Sequence, residues 1–71
     1  MKQLAKQRRL AAISQHELAR RADVKFSRLH YAESGRLKLT AEETSRIERV
    51  IKAVLALRAE QIAVVMESVL A

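Results

Sequence analysis

Few residues in this chain are suited to covalent chemistry. There is no cysteine, and the two histidines, His16 and His30, fall on different expected helices, so neither a thiolate nucleophile nor a metal site is expected. No nucleophile–base pair and no glycine-rich phosphate loop is legible, and no enzyme activity or cofactor is expected. Hydrogen-bonding and cationic groups are what the chain concentrates. Between positions 26 and 31, Phe26, Ser27, Arg28, His30 and Tyr31 bring together two aromatic rings, hydroxyls, a guanidinium and an imidazole. Arg28 can bridge guanine O6 and N7 or hold a phosphate, and Ser27 and Tyr31 can hydrogen-bond a base or a phosphate. Phe26 can touch a thymine methyl group or belong to the core. Ser14, Gln15, Lys25, Ser34, Arg36 and Lys38 are candidates for phosphate oxygens, where most hydrogen bonds of a protein–DNA interface go.

These side chains need a scaffold, and 71 residues make one domain with a modest core, marginal alone, so a partner subunit is plausible. One glycine and no proline favour an all-α chain without long irregular loops. The first residues lack the apolar run of a signal peptide, and no apolar stretch approaches the roughly 20 residues of a membrane span. A cytoplasmic location and no membrane partner are expected. The net charge of +6 is unevenly divided: residues 1–40 carry +7 and residues 41–71 carry −1. That segregation suits polyanion binding by the first part and packing by the second.

Capping signals divide the chain. Lys2 to Ala12 reads as a first helix with Leu4, Ala5, Arg8 and Ala11 or Ala12 inward. Ser14, with Glu17 three residues on, forms a capping box for a second helix to about Ala22. Asp23 tolerates a left-handed turn. A third helix spans about Phe26 to Glu33 and ends at Gly35. Thr40 with Glu43 is a second capping box. From Ala41 to Ala71 there is neither glycine nor proline, consistent with one long helix or two. Leu18, Ala19, Ala22, Val24, Leu29 and Ala32 fall where two crossing helices touch, inside a basic shell. That pattern predicts a helix-turn-helix.

Arg8, Ile13-Ser14-Gln15, Glu17-Leu18-Ala19, Val24, Leu29, Glu33 and Gly35 stand at the spacing of the lambda-repressor-like (Cro/XRE-type) helix-turn-helix regulators. The chain resembles that family over residues 4 to about 54, without a gap. It departs at Ala12 and Asp23, where the family usually has glycine, and at Lys25, where a small capping residue is common. The resemblance implies a compact four- to five-helix domain. It implies that the third helix is the recognition helix, with Phe26, Ser27, Arg28, His30 and Tyr31 as base readers, and that the helix end at Gln15 abuts a phosphate. Phe26 replaces the polar reader of many relatives. The resemblance also suggests an ion pair between Arg8 and Glu33; Arg8 shares its inward face with Leu4 and Ala5, where a charge needs a partner.

Residues 1–54 thus read as a helix-turn-helix DNA-binding domain and residues 55–71 as a helical extension. Ile47, Val50, Ile51 and Val54 suffice to close the fourth helix on the core. Leu55, Ala59, Ile62, Met66 and Val69 follow at the 4-3-4-3 interval of a packed helix seam, widened by Val65 and Leu70. The extension either folds back as a fifth helix or pairs with a second subunit. The expected function is sequence-specific double-stranded DNA binding by a transcriptional regulator, a repressor acting as a homodimer. The alternatives are an antitoxin or antirepressor acting through a protein partner, a basic amphipathic protein at RNA or membrane surfaces, and a structural helical adaptor.

Overall fold

Three of the four helices stop on the same hydrogen-bonded device. The computed structural model describes residues 2–70. It contains α1 (Lys2–Leu10), α2 (Gln15–Ala22), α3 (Phe26–Glu33) and α4 (Ala41–Leu70), with no strand among the described residues. After α1, the Ile13 N–H donates to the Arg8 carbonyl at 3.3 Å and the Ala12 N–H to that of Arg9 at 3.0 Å. After α2, Val24 donates to Ala19 at 3.0 Å and Asp23 to Arg20 at 3.3 Å. After α3, Arg36 donates to Tyr31 at 2.8 Å and Gly35 to Ala32 at 3.1 Å. Each pair is a Schellman closure, which requires a left-handed residue just past the helix. Those residues are Ala12 (φ 54°), Asp23 (φ 54°) and Gly35 (φ 81°).

The three closures differ in cost. Glycine adopts this conformation freely, aspartate tolerates it, and alanine crowds its Cβ against the following carbonyl. The expected first helix through Ala12 is therefore corrected: it ends at Leu10, and the turn at Ala12 buries Ala11 and Ile13 on the core side. Ala12→Gly is expected to stabilise the fold by about 1 kcal/mol, the relief of strain exceeding the added freedom of the unfolded chain. The melting temperature should rise by about 4–8 °C. Asp23→Gly should gain less. An unchanged or lower melting temperature for Ala12→Gly would contradict this account of the turn.

Leu18, Leu29 and Ile47 are the fully buried side chains at the centre. Small residues around them, Ala19, Ala22 and Ala32, let the helices approach closely, so α2 packs on α3 and α4 while α1 packs on α3 and α4. Leu39, in the connection before α4, joins the core, with Leu37 packed against it. On α4 only Glu43, Ile47 and Ile51 are buried, and Val50 and Val54 are half-buried.

Beyond Val54 every described residue of α4 is exposed. The helix runs unbroken for 30 residues, and no fifth helix folds back among the described residues. The expected reach to Ala71 lies, at that last position, outside them. The result is a small helical body with a projecting rod, 49 Å long and 18 Å in the other two dimensions.

Candidate functional site

The candidate site is built on the N-terminus of α2 and the outer face of α3, and a buried carboxylate holds the two together. Glu33, at the end of α3, accepts from Arg8 Nε at 2.8 Å and Arg8 Nη2 at 3.0 Å. It also accepts from Gln15 Nε2 at 3.1 Å. Arg8 Nη1 reaches on to the Ile13 carbonyl at 3.1 Å, inside the α1–α2 turn. The Arg8 and Glu33 side chains are only 14% and 6% exposed. One bidentate pair thus fixes α1, the turn after it, α2 and α3 relative to one another.

Gln15 is therefore occupied. Its amide oxygen also lies 3.4 Å from His30 Nδ1. Ser14 caps α2 as its position suggests, its hydroxyl accepting from the Glu17 N–H at 3.1 Å. The Glu17 carboxylate turns to Arg20 and Arg21 at 2.6–3.1 Å. Hydrogen bonds from these two guanidiniums hold its pKa down to about 2.

Arg28, expected on the reading face, is instead held by α4. Its Nε and Nη2 each lie 2.7 Å from the Glu43 carboxylate. Glu43 simultaneously accepts from the Thr40 N–H at 3.0 Å, while the Glu43 N–H donates to Thr40 Oγ1 at 3.1 Å. The second capping box is complete and doubles as an anchor for α3. Arg46 supplies another anchor, donating from α4 to the carbonyls of Ala22 and Asp23 at 2.9 and 3.2 Å, at the end of α2. Sequence reasoning missed both, since nothing local marks a side chain that bonds another helix 15 or more positions away.

The Arg28 hydrogen bonds, followed by the backbone bond from Thr40, hold the Glu43 pKa at about 2 rather than the ordinary 4.5. A carboxylate with a lowered folded-state pKa contributes stability that is present above the unfolded value and lost as pH falls through the folded one. The melting temperature is therefore expected to drop between about pH 4.5 and 2, Glu17 contributing in the same window. Glu43→Gln should lie below the unmodified protein at pH 7, with the gap closing toward pH 2. A gap independent of pH would count against this assignment.

What remains on the outer face of α3 is a ladder of rings. The His16 and Phe26 rings stack with centroids 3.8 Å apart and planes 4° from parallel. Phe26 and His30 are 5.9 Å apart, and His30 meets Tyr31 edge-on at 5.6 Å. Phe26 is 37% exposed and stands outside the core cluster. Ser27 is exposed, and the Ser34 hydroxyl donates to the Tyr31 carbonyl at 3.0 Å. The exposed side chains of Lys25, Arg36 and Lys38 make no hydrogen bond or ion pair among the described residues. Sequence reasoning weighs His16 only as a metal ligand; its role as the backing of Phe26 emerges from the packing of α2 against α3. Among the described residues no group of three or more His, Asp or Glu side chains could hold a metal ion, and no helix is long and apolar enough to cross a membrane.

Compared with protein-family models, with curated proteins and with solved structures, the chain matches none.

Proposed function

We propose that the chain is a sequence-specific double-stranded DNA-binding transcriptional regulator, a repressor of the lambda-repressor-like kind, that lays α3 in the major groove. The observation that carries this reading is the α2–turn–α3 frame. Arg8 and Gln15 converge on Glu33 at the end of α3, and Arg28 ties α3 to α4, so the outer face with Phe26, Ser27, His30 and Tyr31 is presented on a rigid support. A second helix held across the first, with the leading residues of that second helix outward, is the arrangement that brings side chains to base edges. Lys25, Arg36 and Lys38, whose side chains make no hydrogen bond or ion pair among the described residues, and Ser14 at the start of α2 are the phosphate contacts. Arg28 positions α3 in this reading rather than touching a base, and Gln15 reaches a phosphate with the second N–H of Nε2, the first being held by Glu33.

The exposed rod of α4 supports a homodimer. Leu55, Ile62, Met66 and Val69 are 36%, 60%, 51% and 74% exposed, an apolar stripe that the described residues leave open to solvent. Such a stripe beside charged residues marks a protein contact. A two-fold pairing through Leu55, Ala59, Ile62, Met66 and Val69 sets two copies of α3 facing one DNA duplex, where half-sites about 34 Å apart suit one helical turn.

Selection from random duplexes with the purified protein tests the proposal; enrichment of a two-fold-related motif is expected. Binding should weaken with salt at a log–log slope near −5, from about three phosphate contacts per protomer. Arg36→Ala should weaken binding to all sequences alike, and Tyr31→Ala should change the enriched motif. Enrichment of no motif, or a motif unaltered by Tyr31→Ala, would overturn the assignment of α3 as the reader.

A further inference from the structure

We propose that Phe26, backed by His16, is a reader of C5-methylated pyrimidines, and that the DNA site is selected chiefly by a methyl group in the major groove rather than by hydrogen bonds to guanine. This rests on the DNA-binding reading given above and says what that face reads.

Phe26 is the first residue of α3, the end of a recognition helix that approaches base edges most closely. Phe26 is 37% exposed and lies outside the core cluster, so it leaves apolar surface open. It is also held still. The His16 ring covers one face at 3.8 Å, almost parallel, and His30 flanks it at 5.9 Å. The rotamer freedom that such a side chain would lose on binding is already restricted by the fold, which favours binding by preorganisation.

The two-pronged hydrogen-bonding side chains near this face are already engaged within the protein. A guanidinium is the commonest reader of guanine, and the one on α3, Arg28, has both Nε and Nη2 on the Glu43 carboxylate. Gln15, the side-chain amide at the start of α2, is spent on Glu33 and His30. Ser27, His30 and Tyr31 remain, single-point hydrogen-bonding groups without the two-pronged geometry that distinguishes guanine. The feature of the major groove that an aromatic ring can recognise is the 5-methyl group, carried by thymine and, at the same position, by 5-methylcytosine.

The test uses the full chain and the duplex enriched by random selection. Each thymine is replaced in turn by uracil, which keeps the base pair and removes only the methyl group, and binding is followed by fluorescence anisotropy. Uracil at one position per half-site is expected to weaken binding about fourfold for each methyl lost, and about fifteenfold when both half-sites are changed. Phe26→Ala should bind the thymine and uracil duplexes equally, and His16→Ala should retain a reduced preference. At the same position, cytosine and 5-methylcytosine separate the two sources of the methyl group: tighter binding of 5-methylcytosine than of thymine identifies methylated DNA as the ligand, and the reverse identifies thymine. Indifference to uracil at every position, or a thymine preference that survives Phe26→Ala, would overturn the inference while leaving duplex binding intact. Failure to bind any duplex at low salt would overturn the DNA-binding reading itself.

Discussion

Glu33→Ala is expected to be the most damaging single substitution in the body of the protein. The carboxylate it removes is 6% exposed and accepts three hydrogen bonds, two from Arg8 and one from Gln15. Without it the Arg8 guanidinium, itself 14% exposed, keeps only the Ile13 carbonyl. Breaking a buried ion pair by deleting one partner costs roughly 3–5 kcal/mol, because the surviving charge is left desolvated. A domain of this size has a total stability of about 4–10 kcal/mol, so the variant should be largely unfolded or close to it at 37 °C. Glu42→Ala is the control. Glu42 meets Arg46 at 2.9 Å, but its side chain is 81% exposed, and an exposed pair contributes about 1 kcal/mol at most. Arg8→Ala combined with Glu33→Ala should cost less than the sum of the two changes. Equal melting temperatures for Glu33→Ala and Glu42→Ala, read by circular dichroism, would refute the role given to this pair.

The second large effect is expected at the other end of the molecule and in a different observable. Ile62, 60% exposed at the middle of the α4 rod, lies at the centre of the proposed dimer seam. Ile62→Glu places two like charges at the two-fold axis and should give a monomer at tens of micromolar by light scattering. Because no described residue from 55 to 70 is buried, the body of the protein should stay folded. Binding to a two-fold operator should then fall by about 10²-fold or more, since each half-site is bound without the effective concentration that linkage provides. A monomer for the unmodified protein under the same conditions would reject the dimer.

The parts of this structure that are legible in the sequence are those decided within a few residues. Ser14 before Glu17, Thr40 before Glu43 and Gly35 after Glu33 mark helix ends because caps act over three or four positions. The inner set from Leu18 to Ala32 is legible because helical periodicity places it on touching faces. The Arg8–Glu33 pair spans 25 positions and is accessible only through a resemblance in spacing, helped by a charge on an inward face. Arg28 shows the opposite case. From the sequence its guanidinium is free to reach a base, and only the docking of α4 brings Glu43 within 2.7 Å. Glu17 likewise has two suitors in sequence, the Ser14 N–H and the guanidiniums of Arg20 and Arg21, and the charged donors take the carboxylate because charge-assisted hydrogen bonds are the stronger. Ala12 is a good helix former by propensity, yet it sits past the helix end because burying Ala11 and Ile13 outweighs its left-handed strain.

The unbroken course of α4 also implies a gradient of protection along a single element. Near Ile47 and Ile51 the backbone amides can exchange with solvent only when the body opens, because those side chains are locked in the core. From Leu55 onward no described side chain is buried to support the same hydrogen-bond ladder, and a helix of 16 residues with so little packing is marginal in water. One helix by geometry is thus two by free energy: an inner segment that melts with the domain and an outer segment whose helicity, through the proposed pairing, would depend on protein concentration.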